Sequence, residues 1–430
     1  MERKIKSSLI NWKQNKNRKP LIIDGARQVG KTYIALSFGK EFYKNTVYFN
    51  FENSKELQKI FDKDLEPERI VKELSIFSGQ SIFKNDTLII FDEIQSCERA
   101  LTSLKYFYEN EPDYQIIAAG SLLGVALNRE KYSFPVGKVD MMKMFPLDFE
   151  EFLWALNRKD LSESIRNHFK SDEMFSLHEI AIEYYKKYLV IGGMPRVILD
   201  FLETEDFNFV LASQKTINDS YIADMAKYAS PMETIRILNA FNTIPSQLAK
   251  ENKKFQYKLI KSGARAHEYE VPIEWLISSG IVNRCIKVNE GKLPLKAYCE
   301  PSSFKLYLGD SGLLCSKLEI PANLIINGNP KFNEFRGALT ENYVCNALSS
   351  NNHSLYYLER NSNMEIDFII QDKEGNIIPI EVKAGENVKA NSLNSFIRLY
   401  DPLYSIRISS KNFGFENNIK SVPLYAVFCI

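Results

Sequence analysis

The eight residues GARQVGKT, Gly25 to Thr32, constrain this chain more than any other stretch. They follow the apolar run LIID and open the helical run TYIALSFGKEF. The spacing is G-x-x-x-x-G-K-[ST], and between a strand and a helix that spacing makes a phosphate cradle, or P-loop. Consecutive backbone N–H groups and the helix N-terminus face the phosphate oxygens. Glycines let the main chain turn and come close. Gly25, Ala26, Arg27, Gln28, Val29, Gly30, Lys31 and Thr32 are therefore the candidate nucleotide-binding residues. Lys31 is placed to reach the β- and γ-phosphates, and the Thr32 hydroxyl to coordinate Mg²⁺.

A second run, TLIIFDEIQ, reads as an apolar strand ending in Asp92 and Glu93. In P-loop proteins an acid there holds the Mg²⁺, directly or through water. The adjacent Glu93 is placed to polarise an attacking water as general base. Alone, the two acids could equally be a helix N-cap with a favourable dipole contact. A third run, YQIIAAGS, ends in Ser121, which suits a γ-phosphate sensor. Ser121 also suits the N-cap of the following SLLGVAL, and the two roles are compatible.

The chain has 430 residues, enough for about two to four domains. Hydrophobic content of 45% and charged content of 25% allow a packed core in each. Lys plus Arg (55) balance Asp plus Glu (54), so net charge points to no nucleic acid, although a local patch could still exist. Six scattered cysteines without a CxxC pair, and four histidines, form no zinc signature. They read as buried, reduced thiols. The N-terminus lacks the apolar segment of a signal peptide, and no run approaches a membrane span. A cytoplasmic location is expected.

Organisation follows from periodicity. Residues 1 to 18 look like a basic amphipathic helix. From Leu21 to about Phe149, β-runs alternate with helical stretches: LIIDG, TVYFNFEN, TLIIFDEI, YQIIAAGS and a weaker KVDMMKMFPL. Near-continuous apolar runs fit parallel strands covered on both faces. The fold class is therefore α/β, with a parallel-sheet P-loop core at 1–150. A helical segment follows at 151–230. At 231–325, helices lead to two β-runs, GIVNRCIKV and KLPLKAYCE, in the order of a winged helix. A turn-like NGNP marks the next boundary, and a small α/β domain occupies 326–430.

Residues 20 to 150 resemble an AAA-type (extended AAA) ATPase, on the segments GARQVGKT, LIIFDEIQ and IIAAGSLLG. The likeness continues through FPLDFEEFL, YLVIGGMPRVI, KLYLGDSGLL and LTENYVCNALSS. The combination is similar to prokaryotic ATPases that fuse an AAA domain to a C-terminal domain of largely uncharacterised function. It covers almost the whole chain. The resemblance implies ATP and Mg²⁺ as cofactors, with Lys31, Thr32, Asp92 and Glu93 in the ATPase roles and Ser121 as sensor. In FPVGKV the family pattern has an arginine after the glycine; here it is Lys138, which supplies charge but no planar fork.

Two further features bear on function. In the middle segment Lys250, Lys253, Lys254, Lys258, Lys261 and Arg265 concentrate positive charge that could follow a DNA or RNA backbone. A solvated helix face is the plainer alternative. Near the C-terminus, MEIDFIIQDKEGNIIPIEVKAG reads as a hairpin about DKEGN, with Gly375 in the left-handed position. That register sets Asp367 opposite Glu381 and Glu365 opposite Lys383, all four on one face. Glu365 and Lys383 could form an ordinary cross-strand pair. The like charges of Asp367 and Glu381 would be relieved by a divalent cation. Glu341 shares a helix face with Val344, Cys345 and Leu348, so its carboxylate points inward and needs a partner. The order Glu341, Asp367, Glu381, Lys383 is similar to the restriction-endonuclease-like, PD-(D/E)XK, pattern, which implies metal at the acids and assistance from the lysine.

These readings leave two expectations. One is an ATPase driving conformational change in a protein that acts on nucleic acid, with metal-dependent nuclease chemistry as an addition. The other is an ATP-gated binding module for nucleic acid or protein that cuts nothing.

Overall fold

The computed structural model describes residues 1–121, 134–250, 253–329, 332–360, 364–385 and 391–430. The chain condenses into two compact units, residues 2–145 with 278–280, and residues 146–277 with 281–430. The first is a P-loop nucleotide-binding core of α/β type, and the second adds helices and a mixed sheet.

The first unit is built on five parallel strands: β1 (Leu21–Asp24), β2 (Asn45–Asn50), β3 (Thr87–Asp92), β4 (Gln115–Gly120) and β5 (Asp140–Lys143). Their order is β2-β3-β4-β1-β5. The sequence pattern fits that order. Every residue of β3 and β4 is buried, as continuous apolar runs covered on both faces require. The edge strand β5 alternates half-buried and exposed residues. Phe91 of β3 meets Phe51 and Phe61 edge-on, at 5.3 and 5.9 Å between ring centroids. Burying each such ring contributes about 1.5–3 kcal/mol. Pairing sets Asp24 beside Gly120 and Asp92 beside Ala119, so β1, β3 and β4 end at one edge of the sheet. The basic N-terminal segment forms the helix Ile5–Gln14, burying Leu9 and Trp12.

In the second unit the helical periodicity after Asp148 yields helices. The first, Phe149–Ala155, starts with a capping box in which Asp148 and Glu151 exchange side-chain and backbone bonds. The segments YLVIGGMPRVI and LGDSGLL lock to each other. Buried Asp310 caps the helix Ser311–Lys317 by accepting from Leu313 N at 2.9 Å and also accepts from Gly193 N at 2.6 Å. A Cβ at Gly192 would lie 2.2 Å from the same carboxylate, so the glycine makes room for it. These two motifs are accounted for by packing.

Eight strands complete this unit: β6 (Val282–Val288), β7 (Cys299–Leu308), β8 (Tyr356–Arg360), β9 (Met364–Gln371), β10 (Ile377–Val382), β11 (Ser405–Ser409), β12 (Gly414–Glu416) and β13 (Ile419–Pro423). The sheet order is β12-β13-β11-β10-β9-β8-β6-β7. Two expectations change here. First, KLPLKAYCE is not a strand. Leu295–Tyr298 is a 3₁₀ turn, and the partner of β6 begins at Cys299. Second, the boundary at 325 does not separate two sheets. β6 runs parallel to β8, Ile286 beside Tyr356, so residues on both sides of that boundary share one sheet. The helix–helix–hairpin order of a winged helix is present, but its hairpin is the margin of a larger sheet. Of the cysteines, all free, Cys299 and Cys429 are half-buried and the other four buried. Among the described residues no helix is long and apolar enough to cross a membrane.

Candidate functional site

The P-loop lies between β1 and the helix Lys31–Phe42. Gly25 (φ 149°), Gln28 (φ 68°) and Gly30 (φ 98°) all take positive φ, which curls the main chain. A Cβ on Gly25 would sit 2.1 Å from Met144 O, so only glycine fits. Arg3 braces the loop from outside it. Its guanidinium donates to Val29 O at 2.8 Å and to Phe145 O at 2.6 Å.

Lys31 is buried, and its Nζ donates to Gly25 O and Ala26 O, each at 2.8 Å. Burial lowers its pKa to about 8, against the opposing pull of Glu93, Asp24 and Asp92. Thr32 Oγ1 donates to Asp92 Oδ2 at 2.9 Å. Tyr48 on β2 donates to the same oxygen at 2.7 Å, and burial with the neighbouring acids pushes its own pKa up to about 12. Glu93 N donates to Asp92 Oδ1 at 3.1 Å. Glu93 itself sits at φ 49°, and its Oε2 accepts from Gln95 Nε2. Burial raises the Glu93 pKa, which the Gln95 bond opposes. Such a shift suits a group that must accept a proton.

Thus Lys31, Thr32, Asp92 and Glu93 come together at the ends of β1 and β3. Ser121 is buried at the end of β4. The segment it was expected to cap lies at 122–133, outside the described residues. Thr32 Oγ1 and Asp92 Oδ2 make a hard oxygen pair, and with a phosphate oxygen they fit Mg²⁺. Lys138 instead pairs with Glu109 at 2.9 Å and lies over the Tyr108 ring. Tyr48, Gln95 and Arg3 went unnoticed in the sequence. A tyrosine and a glutamine flanking an acidic strand end are polar residues at otherwise apolar strand termini, and that was the available signal.

A second cluster lies in the other unit. Buried Glu341, on the helix Asn333–Ser350, does find partners. Lys253 bonds its Oε2, Tyr307 donates to its Oε1, and Lys305 Nζ stands 3.5 Å from Oε1. Lys305 also lies 3.3 Å from Glu365 Oε1. Burial works to lower the Lys305 pKa, but Glu341, Asp367 and Glu365 together hold it well above the ordinary lysine value. Burial would raise the Glu341 pKa; Lys305 and Lys253 overcome that and lower it. Asp367 is raised, by burial first and by Glu341 next.

The hairpin register is as read from the sequence. Asp372 N donates to Asn376 O, Gly375 has φ 91°, and Phe368 pairs with Ile380. Beyond that pair the ladder stops, because Asp367 Oδ2 accepts from Val382 N at 2.8 Å. A shift in the β8–β9 register opposite Asp367 and Phe368 also breaks the strict alternation of faces. Glu365 and Lys383 do not pair. Lys383 Nζ lies 3.1 Å from Glu381 Oε1, and Glu365 goes to Lys305. Lys383 also feels the charge of Asp367, which ties the two halves of the cluster together. The sequence reading missed Lys305 and Tyr307. A lysine inside the apolar run SSFKLYL was the signal for the first.

A divalent cation does not fit these residues as they stand, because Glu341 is already bonded by two ammonium groups and a phenol. Among the described residues no three Asp, Glu, His or Cys are grouped to hold a metal ion. Of the basic middle segment, Lys250, Lys258, Lys261 and Arg265 are exposed, whereas Lys253 turns inward to Glu341.

Comparison with known proteins agrees with the first site. Residues 17–153 match the family model described as an AAA domain. Residues 182–324 match a domain of unknown function (DUF8612), and residues 336–427 another (DUF4143). The N-terminal core is thus of the AAA type. A search of curated proteins found no match to the chain. Among solved structures, a Walker-type ATPase of Pyrococcus abyssi is 16% identical, covering 74% of this chain and 95% of its own, with a TM-score of 0.44. The Aeropyrum pernix ORC2 protein is 13% identical, covering 80% and 94%, with a TM-score of 0.40. Thermotoga maritima RuvB is 13% identical, covering 65% and 88%, with a TM-score of 0.32.

Proposed function

We propose that the chain binds Mg²⁺-ATP at Gly25–Thr32 and hydrolyses it, using the turnover to change the conformation of a multidomain protein that grips nucleic acid. The supporting observation is the junction of Thr32, Asp92 and Glu93. Thr32 Oγ1 is 2.9 Å from Asp92 Oδ2, and Glu93 follows directly with a raised pKa. Bound Mg²⁺ would supply charge neutralisation at the phosphates. Lys31 turns from the loop carbonyls to the β- and γ-phosphate oxygens. Glu93, held by Gln95, takes a proton from the water that attacks the γ-phosphorus, and ADP leaves. Ser121 senses the γ-phosphate.

Exposed Lys258, Lys261 and Arg265 support nucleic acid as the partner, through its phosphates. The strand order β8-β9-β10-β11, with β10 and β11 parallel and helices Asn333–Ser350 and Asn391–Tyr400 in sequence, supports a nuclease-like fold. We assign it no cleavage step, because Glu341 is not free to bind metal. The binding-module reading is therefore the one we adopt for this unit.

The test is Glu93→Gln. It should bind ATP as the unaltered chain does while hydrolysis falls about 10²–10⁴-fold, the usual contribution of a positioned base. Full hydrolysis in that variant would remove Glu93 from the mechanism.

A further inference from the structure

The second acidic cluster departs from a metal centre in a chemically specific way. Four carboxylates (Glu341, Glu365, Asp367 and Glu381) meet three ammonium groups (Lys253, Lys305 and Lys383). The three ammonium groups are not alike. Lys305 is a strand residue, 2% exposed, fixed by β7. Lys383 leaves β10 and is two-fifths exposed. Lys253 comes from a stretch without helix or strand, between the helix Pro231–Leu248 and the 3₁₀ turn Tyr257–Leu259. It enters the cluster through a single partner, Glu341.

Glu381 provides an independent sign. It is 3% exposed, and while its Oε1 meets Lys383, its Oε2 is buried with no hydrogen-bond partner. A buried carboxylate oxygen without a donor is costly, and such exceptions call for a missing ligand or ion. Without Lys253 the cluster would hold two uncompensated negative charges, which is the charge a divalent cation balances.

We infer that Lys253 is a removable internal counter-ion that closes this cluster to divalent cations. Its ammonium stands beside Glu341 in place of a metal. Withdrawing it leaves Glu341, Asp367 and Glu381 as oxygen ligands for Mg²⁺ or Mn²⁺, hard cations that select such donors. Lys305 remains and keeps the affinity modest.

The experiment is Mn²⁺ binding by the full chain without nucleotide, followed by electron paramagnetic resonance of the free ion. The unaltered chain should show no binding that depends on Asp367. Lys253→Ala and Lys253→Gln should gain one site, about tenfold tighter or more, as loss of one fixed positive charge from a partly buried site allows. Adding Asp367→Asn to either should abolish the gain. Mn²⁺ should also raise the melting temperature of the Lys253 variants and not that of the unaltered chain. Should a variant be unfolded without metal, recovery of its far-ultraviolet dichroism on adding Mn²⁺ would support the inference, and failure to recover would overturn it. It is also overturned if both folded variants bind Mn²⁺ no better than the unaltered chain. Asp367-dependent binding by the unaltered chain would overturn it equally, because the cluster would then be open already. None of these outcomes involves ATP, so they leave the reading of the P-loop untouched.

Discussion

Both units bury a lysine among carboxylates, and they settle its charge in opposite ways. Lys31 gives its protons to two main-chain carbonyls, Gly25 O and Ala26 O. Asp92 is left with neutral donors: the hydroxyls of Thr32 and Tyr48 and the N–H of Glu93. Lys305 instead goes straight to Glu341 and Glu365. The pKa directions record the contrast. Lys31 is lowered to about 8 because burial outweighs its acids, whereas Lys305 is raised because its acids outweigh burial. The difference decides what each carboxylate can do next. A carboxylate served by neutral hydroxyls can exchange one of them for a cation at little cost. A carboxylate already paired to ammonium must first give up a buried ion pair, and that is expensive.

The largest effect that could break this comparison is Lys31→Ala. The carbonyls it served lose one donor but stay accessible to ligand, so the chain should fold. ATP turnover should fall by about 10²–10³ or more, the range for deleting one preorganised charged donor. ATP affinity by calorimetry should fall with it. Unchanged turnover would mean the P-loop lysine is as inert as a structural one.

Lys305→Met sharpens the other side. Glu341 keeps Lys253 and Tyr307, so the loss should be about 2–3 kcal/mol, below the 3–5 expected when a buried ion is left alone. Urea unfolding at constant slope would measure it. In Lys305→Met/Glu341→Gln the acid is neutral, and part of that loss should return. A Lys305→Met chain as stable as the unaltered one would show that Lys253 alone neutralises the cluster.

The two regions were not equally legible in the sequence. In the core, one local pattern served both fold and site: apolar runs made the buried strands β3 and β4, and Gly25–Thr32 made the loop. Register did the rest, because parallel strands bring their C-terminal ends together. In the second unit the signals conflicted. KLPLKAYCE alternates apolar residues as a strand does, yet Pro294 has no N–H to give a ladder. The true strand, β7, carries Lys305 in a run whose other members looked like core. The DKEGN turn fixed the hairpin register correctly. The bulge opposite Asp367 and Phe368 could not be seen in a period of two, because a bulge adds a residue without changing composition. Contacts such as Tyr48 to Asp92, 44 residues apart, exist only once strands are ordered.

The smallest effect is the most direct probe of the contrast, because it titrates Lys31 itself. In the free folded chain Lys31 loses its proton as pH rises through about 8, while an ordinary exposed lysine keeps it to 10.5. The unfolded chain therefore binds more protons between those values. In that window the Lys31 contribution to stability rises with pH, and below about 8 the full cost of burying the charge is present. For ATP the sign reverses. The triphosphate needs the ammonium, so binding above pH 8 must take up a proton. ATP affinity should be level from pH 6.5 to 7.5 and about tenfold weaker at pH 9, one decade per unit once the lysine is neutral. Calorimetry at pH 8.5 in buffers of different ionisation enthalpy should report uptake of between a half and one proton per ATP, and Lys31→Ala none. Flat affinity up to pH 9 without proton uptake would mean that Lys31 keeps its proton as Lys305 does, and the two buried lysines would then differ in their partners but not in their charge.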